Sequence, residues 1–257
     1  MFRKIFEKIG SIIINFFQEV GQVTNLFFSI IKYSARIFKY RKLVIYQMEH
    51  IGVNSIPLVV IIAMFTGAVS AWQAAYQLKG IAPLSFLGAT TSRAIITELA
   101  PVLTAIVIAG RVGASIAAEL GSMKVTEQID ALETMGISKI GYLAMPRFFA
   151  SILMMPVLII FANIIAVIGA YFISNIFLNV SFAVFFESVK RYFAFSDFAF
   201  GIVKGIIFGG ITSLLGCHIG FRTEGGAEGV GFSTIRAFVL SASMILVLDY
   251  ILWTLIF

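Results

Sequence analysis

The sequence predicts an all-α polytopic membrane protein, with an N-terminal interfacial helix, five transmembrane helices and a short surface helix between spans two and three. Three observations carry this. Of the 257 residues, 60% are hydrophobic and only 12% charged, with a mean hydropathy of +0.99, whereas ordinary soluble domains carry about a quarter charged residues. Several apolar runs exceed the roughly 20 residues that cross a hydrocarbon core about 30 Å thick. The runs are continuous and lack polar alternation, so helices and not barrel strands satisfy their backbone.

Residues 1–50 form the first segment. Arg3, Lys4, Lys8, Lys32, Arg36, Lys39, Arg41 and Lys42 interrupt apolar groups such as Ile12 to Ile14, Phe16, Phe17 and Leu26 to Phe28. A helix of this kind lies in the membrane interface, rings in the acyl boundary and cations among headgroups. Residues 51–257 then hold the spans. Span one is expected from Ile51 to Leu78, with Pro57 near its start and Trp72 and Tyr76 near its far end, where aromatic residues favour the water boundary. Span two is expected from Arg93 to Leu120, span three from Tyr142 to Leu178, span four from Phe198 to Gly220, and span five from Ile235 to the end. Span three is too long for one straight crossing, so a kink at Pro156 or a surface portion is expected.

Five crossings put the N-terminus inside and the C-terminus outside. The charges agree: the N-terminal segment, Arg111, Lys124, Lys139, Arg147, Arg222 and Arg236 fall inside, and the fewer Lys79, Arg93, Lys190, Arg191 and Lys204 fall in the outer half. The net charge of +6 therefore follows the positive-inside bias, and no nucleic-acid partner is expected. Cys217, alone in an apolar run, excludes an internal disulfide and reads as packing. No small-residue cleavage site follows a short apolar core at the N-terminus, so no cleavable signal is expected.

Small residues recur every fourth position in span two (Ala105, Ala109, Gly113, Ala117, Gly121) and span four (Gly201, Gly205, Gly209, Ser213). Such faces let helix backbones approach closely in lipid. The spacing fits contacts within one chain as well as between two.

The longest polar interval inside the chain runs from Gly121 to Gly136. Val125, Ile129, Leu132 and Met135 share one helical face, while Lys124, Glu127, Asp130 and Glu133 take the other. A helix over about 122–136, ended by Gly136, either floats at the interface or docks its polar face in a partner. Glu98, Lys204 and Asp249 each interrupt an apolar run at a cost of about 2.5 to 3.5 kcal/mol at mid-membrane. By rise per residue all three belong to the outer half. They either lock helices together or line a cavity that opens outward, where Lys204 would meet an anionic headgroup.

Motifs for catalysis are missing. There is no GxxxxGK[ST], so the chain does not hydrolyse a nucleotide. His50 and His218 are isolated and no metal-ligand spacing occurs, and no GxSxG surrounds a serine. The segment TEGGAEGVG, Thr223 to Gly231, lacks the lysine and preceding strand of a phosphate loop and reads as a tight turn between helices.

The stretch AGRVGASIAAELGSMKVTEQIDALETMGISKIGYLAMPR, with TELAPVLTAIVIAG before it and GGAEGVGFSTIRAFVLSASMILVLDYILWTLIF at the end, closely resembles the MlaE family of ABC-transporter permeases, from about residue 45 to the C-terminus. The resemblance implies a homodimer of half-permeases in a bacterial inner membrane, driven by cytoplasmic ABC ATPase subunits that bind ATP and Mg, with no cofactor in this chain. It further implies a periplasmic MCE-domain protein on the outer face and phospholipid as the substrate, moved between inner and outer membranes to maintain outer-membrane asymmetry. Chloroplast relatives move lipid across envelope membranes. The resemblance places ATPase coupling on Lys124, Glu127, Gln128, Asp130 and Glu133. Lipid contact falls on Glu98, Lys204, Asp249 and, in the FTGAVSAWQ stretch and just beyond it, Trp72, Gln73 and Tyr76. Thr97 stands where some relatives carry an arginine, which removes a cation from that site. An ATP-independent lipid transporter, or a scaffold for the outer ring, is the alternative class.

Overall fold

The computed structural model describes residues 2–256; the side chains of residues 2–9, 12, 16 and 256, including those of Arg3, Lys4, Lys8, Ile12 and Phe16, lie outside the described set. Among the described residues all regular structure is helical. Five stretches are long and apolar enough to cross a membrane: Arg41–Leu78, Leu84–Val125, Ile140–Leu178, Phe195–Gly220 and Gly226–Leu255. The chain is an all-α polytopic membrane protein.

The amphipathic N-terminal segment is a single helix, α1 (Phe2–Tyr33), that ends well before residue 50. After a 3-10 turn at Ser34–Arg36, helix α2 (Arg41–Ile51) leads through Val53–Ser55 into α3 (Ile56–Leu78). Pro57 sits in the first turn of α3, where its missing N–H costs no helical bond.

Span two begins at Leu84, earlier than the expected Arg93. It is built from α4 (Leu87–Ala94), α5 (Ala100–Ile108) and α6 (Ala114–Val125), joined by π-helical turns at Ile95–Leu99 and Ala109–Gly113. Residues 87–92 fall before the expected span, yet most of them are buried, because a partner covers them. That partner is α9 (Phe182–Tyr192), a short amphipathic helix after span three that periodicity had not suggested. Gly88 faces the Phe185 carbonyl, and the Ser188 hydroxyl accepts from Ala89 N–H at 3.1 Å.

Span three is a π turn at Ile140–Ala144 followed by α8 (Met145–Leu178), which continues as helix through Pro156. Span four is α10 (Phe195–Gly220) and span five α11 (Gly226–Ile256). The glycine-rich segment is a turn only at its start. Gly225 and Gly226 adopt φ of +87° and +68°, a region open to glycine at no steric cost, and the rest already belongs to α11. Span five therefore starts at Gly226 and not at Ile235.

Both small-residue stripes are consumed inside one chain. A Cβ on Gly209 would lie 2.5 Å from the Ser151 carbonyl oxygen, one on Gly216 2.9 Å from that of Gly113, and one on Gly220 3.2 Å from that of Ala117. Spans two, three and four thus meet backbone to backbone, where dispersion over many close atoms replaces the hydrophobic drive that lipid does not supply. Span five is different: it leaves Phe232, Ile235, Val239, Val247 and Tyr250 exposed.

Candidate functional site

Two features stand at opposite ends of the bundle. At the end where α3 finishes and α4 begins, Lys204 is wholly buried. Its Nζ lies 2.7 Å from Glu98 Oε1 and 2.7 Å from Asp249 Oδ1, and donates to the Thr97 carbonyl at 3.0 Å. The Phe200 and Trp253 rings lie 4.7 and 5.6 Å from the ammonium. An ammonium at this depth persists only when paired and enclosed by donors' partners and rings. The π turn at Ile95–Leu99 sets Glu98 and the Thr97 carbonyl toward it.

The three ionisable residues found in separate apolar runs therefore form one cluster joining spans two, four and five. Lys204 turns to its two carboxylates and shows no surface of its own. Glu98, with 33% of its side chain exposed, is the member that reaches the open face.

Gln73 lies in a groove of about 450 Å³ walled by Ile61, Phe65, Val69, Leu99 and Leu103, with Leu99 directly after Glu98. Trp72 and Tyr76 open onto a second groove of about 490 Å³ with Leu84 and Leu178, where Trp72 meets the Phe177 ring edge-on at 5.5 Å. Both grooves are lined mostly by apolar side chains and are large enough to take an acyl chain, with Lys79 among the residues of the second.

At the other end the polar interval is shorter than the expected helix over 122–136. Residues up to Val125 continue α6, Glu127 takes a left-handed φ of 60°, and helix α7 covers only Gln128–Thr134. The break rotates the face that spacing had implied: Ile129 is buried, Leu132 half-buried, and Met135 exposed at 65%. Gly136, at φ +74°, does end the helix. Its N–H bonds the Glu133 carbonyl and the Ile137 N–H that of Leu132, the paired 5→2 and 6→1 bonds of a Schellman cap.

Gln128, Asp130 and Glu133 are exposed. Lys124, at the end of α6, bonds Asp130 at 2.9 Å, and Lys139 bonds Glu133 at 3.0 Å. The rod is thus tied at both ends to spans two and three.

One ion pair and one hydrogen-bonded arginine near this end also escaped the sequence reading. Arg147, expected at the cytoplasmic side of span three, is buried; it donates to Glu119 at 2.9 Å and to the Leu143 carbonyl at 3.0 Å, while Ser115 donates to Glu119 at 3.1 Å. Arg111, on the second π turn, donates to the Ser55 hydroxyl and the His50 carbonyl at the entry to α3. Neither pair shows in sequence, because the partners lie on different helices and share no spacing. Among the described residues no group of His, Cys, Asp and Glu is arranged to hold a metal ion.

Residues 44–255 match the family profile described as Permease MlaE. A protein of Rickettsia typhi described as a probable ABC transporter permease is 36% identical over 100% of this chain and 99% of its own length. A Synechocystis protein of the same description is 38% identical over 82% of this chain and 80% of its own. The chloroplastic protein trigalactosyldiacylglycerol 1 of Arabidopsis thaliana is 34% identical over 80% of this chain and 59% of its own.

Proposed function

The chain belongs to the MlaE permease family and is a permease subunit of an ABC transporter, and from that premise we propose that it moves phospholipids between the inner and outer membranes of a bacterium. Two copies form the pathway, a separate cytoplasmic ATPase binds ATP and Mg and supplies the work, and a periplasmic MCE-domain protein receives or delivers lipid on the outer face. The N-terminus is cytoplasmic and the C-terminus periplasmic. The glycerolipid in the name of the Arabidopsis relative is in keeping with a lipid substrate.

The observation that carries the reading is the rod α7. A seven-residue helix is too short to be stable alone, yet this one is anchored by Ile129, capped at Gly136 and braced by ion pairs to spans two and three. It leaves Gln128, Asp130 and Glu133 pointing outward. Motion of a docked partner would pass through a braced rod to both spans and reshape the grooves at the far end. A loose interfacial helix would absorb it.

A photo-crosslinker at position 127 tests this: it captures a nucleotide-hydrolysing subunit, and Glu127→Lys with Asp130→Lys abolishes ATPase assembly while the spans stay folded. Intact, active complexes in the double variant would remove α7 from the docking role. Lipid movement by the purified chain with no ATPase present would favour the ATP-independent class.

A further inference from the structure

The densest run of cations in the chain lies where the N-terminal helix hands over to span one. Lys32 is in the last turn of α1, Arg36 and Lys39 stand in the joint that follows, and Arg41 and Lys42 open α2. All five are exposed. Between Glu19 and Glu49 the chain carries no acidic residue. Elsewhere Arg93, Lys124, Lys139, Arg147, Lys204 and Arg236 each hold a carboxylate, whereas none of these five pairs with one among the described residues. Their mutual repulsion is left for something outside the chain to offset.

Depth selects the partner. Span one begins at Arg41, and Ile45 and Tyr46, 63% and 61% exposed, follow Arg41 and Lys42 at the spacing of four that stacks side chains on one helix face. Four residues of helix rise about 6 Å, so Ile45 and Tyr46 at the acyl boundary put the two cations among headgroups. Phe38, 85% exposed between Arg36 and Lys39, adds a ring at the same boundary. An acidic protein in solution would match the charge and leave these rings in water.

The run is also built onto the entry to span three. Tyr33 packs on Gly141, where a Cβ would come within 2.9 Å of its ring, and the Tyr40 ring meets Tyr142 edge-on at 6.0 Å. Arg36 and Lys39 lie 5.8 and 5.9 Å from the Tyr33 and Tyr40 rings. Gly141 and Tyr142 belong to the π turn Ile140–Ala144 that opens span three. A load on the cations therefore reaches that turn through two rings.

We propose that Lys32, Arg36, Lys39, Arg41 and Lys42 form a binding surface for anionic phospholipid headgroups in the leaflet at this end of the bundle, and that headgroup charge steadies the turn opening span three. Each cation held near such a surface favours an anionic lipid by about fivefold.

The test uses the full-length chain with a photo-activatable benzoylphenylalanine in place of Phe38, in nanodiscs of equal phosphatidylglycerol and phosphatidylcholine with matched acyl chains. Captured lipid is identified by mass spectrometry. Position 38 captures phosphatidylglycerol over phosphatidylcholine by about fivefold, and 1 M salt, where screening acts within about 3 Å, returns the ratio toward one. The same crosslinker at Phe161, exposed in the middle of α8, captures both lipids equally. Arg36→Gln with Lys39→Gln, Arg41→Gln and Lys42→Gln erases the preference at position 38 and leaves capture at position 161 intact, which controls for folding, whereas Lys39→Arg with Lys42→Arg keeps it. Amides of residues 140–144 exchange more slowly in phosphatidylglycerol than in phosphatidylcholine discs, and equally in both for the four-glutamine variant. Equal capture at position 38, a preference that survives the four substitutions, or no lipid captured there overturns the surface. Exchange that ignores headgroup charge in the wild type overturns its link to span three. No ATPase is present, so each of these failures leaves the transport reading standing.

Discussion

Lys204 and Glu98 lie 106 positions apart in the chain and 2.7 Å apart in space, with Asp249 closing the same ammonium from a third helix. Removing the lysine alone leaves two carboxylates facing each other, with Asp249 only 18% and Glu98 33% exposed. Lys204→Leu is expected to destabilise the bundle by about 3 kcal/mol, the range for breaking a buried pair from one side. The triple variant Lys204→Met, Glu98→Gln, Asp249→Asn recovers most of that loss. Thermal unfolding in detergent checks it; a single variant as stable as the parent would show that the cluster does not hold the helices.

Gly67 and Ala166 mark the closest approach of α3 and α8, since a Cβ on Gly67 would fall 1.8 Å from the Ala166 carbonyl oxygen. Gly67→Ala must push the two spans apart, with an expected loss of about 1 to 3 kcal/mol. Gly21→Ala in α1, where nothing lies within 4 Å, is neutral or gains up to about 1 kcal/mol from helix propensity. The two melting temperatures should move in different directions.

Glu127 holds its φ of 60° against the preference of an L-residue. Glu127→Gly should relieve about 1 kcal/mol and Glu127→Val should add strain. Hydrogen exchange of the amides of α7 reads this out: slower in the glycine variant, faster in the valine variant.

The N-terminal helix is clasped to the end of the bundle by Glu19 with Arg236 and by Gln22 with Arg222. Arg236→Glu should free α1 and raise its cleavage by added protease, while Arg236→Glu with Glu19→Arg restores protection. The global melting temperature should hardly change, because an exposed pair contributes less than about 1 kcal/mol.

Much of this protein was legible in the chain. Uninterrupted apolar runs required helices in lipid, and their number required five spans. The isolated Glu98, Lys204 and Asp249 required partners, since lipid offers none. Gly136 marked the end of the surface helix by its backbone freedom, and the polar interval before it marked where the chain leaves the membrane. The boundaries were less legible wherever burial depended on a neighbour. Residues 87–94 are helical, with Gly88 and Ala89 buried against α9, and no local periodicity in Leu87–Ala94 reports a helix nearly a hundred residues away.

Sequence by itself decided class, span number and the presence of Glu98, Lys204 and Asp249 within the spans, because the cost of placing polar groups in hydrocarbon is a property of each residue. Tertiary structure alone decided that one lysine serves two carboxylates and that the glycine stripes meet inside the chain. It also set the turn of the surface rod at Glu127. Those outcomes depend on which helices lie side by side, and pairing between distant segments leaves no trace in the spacing of either one.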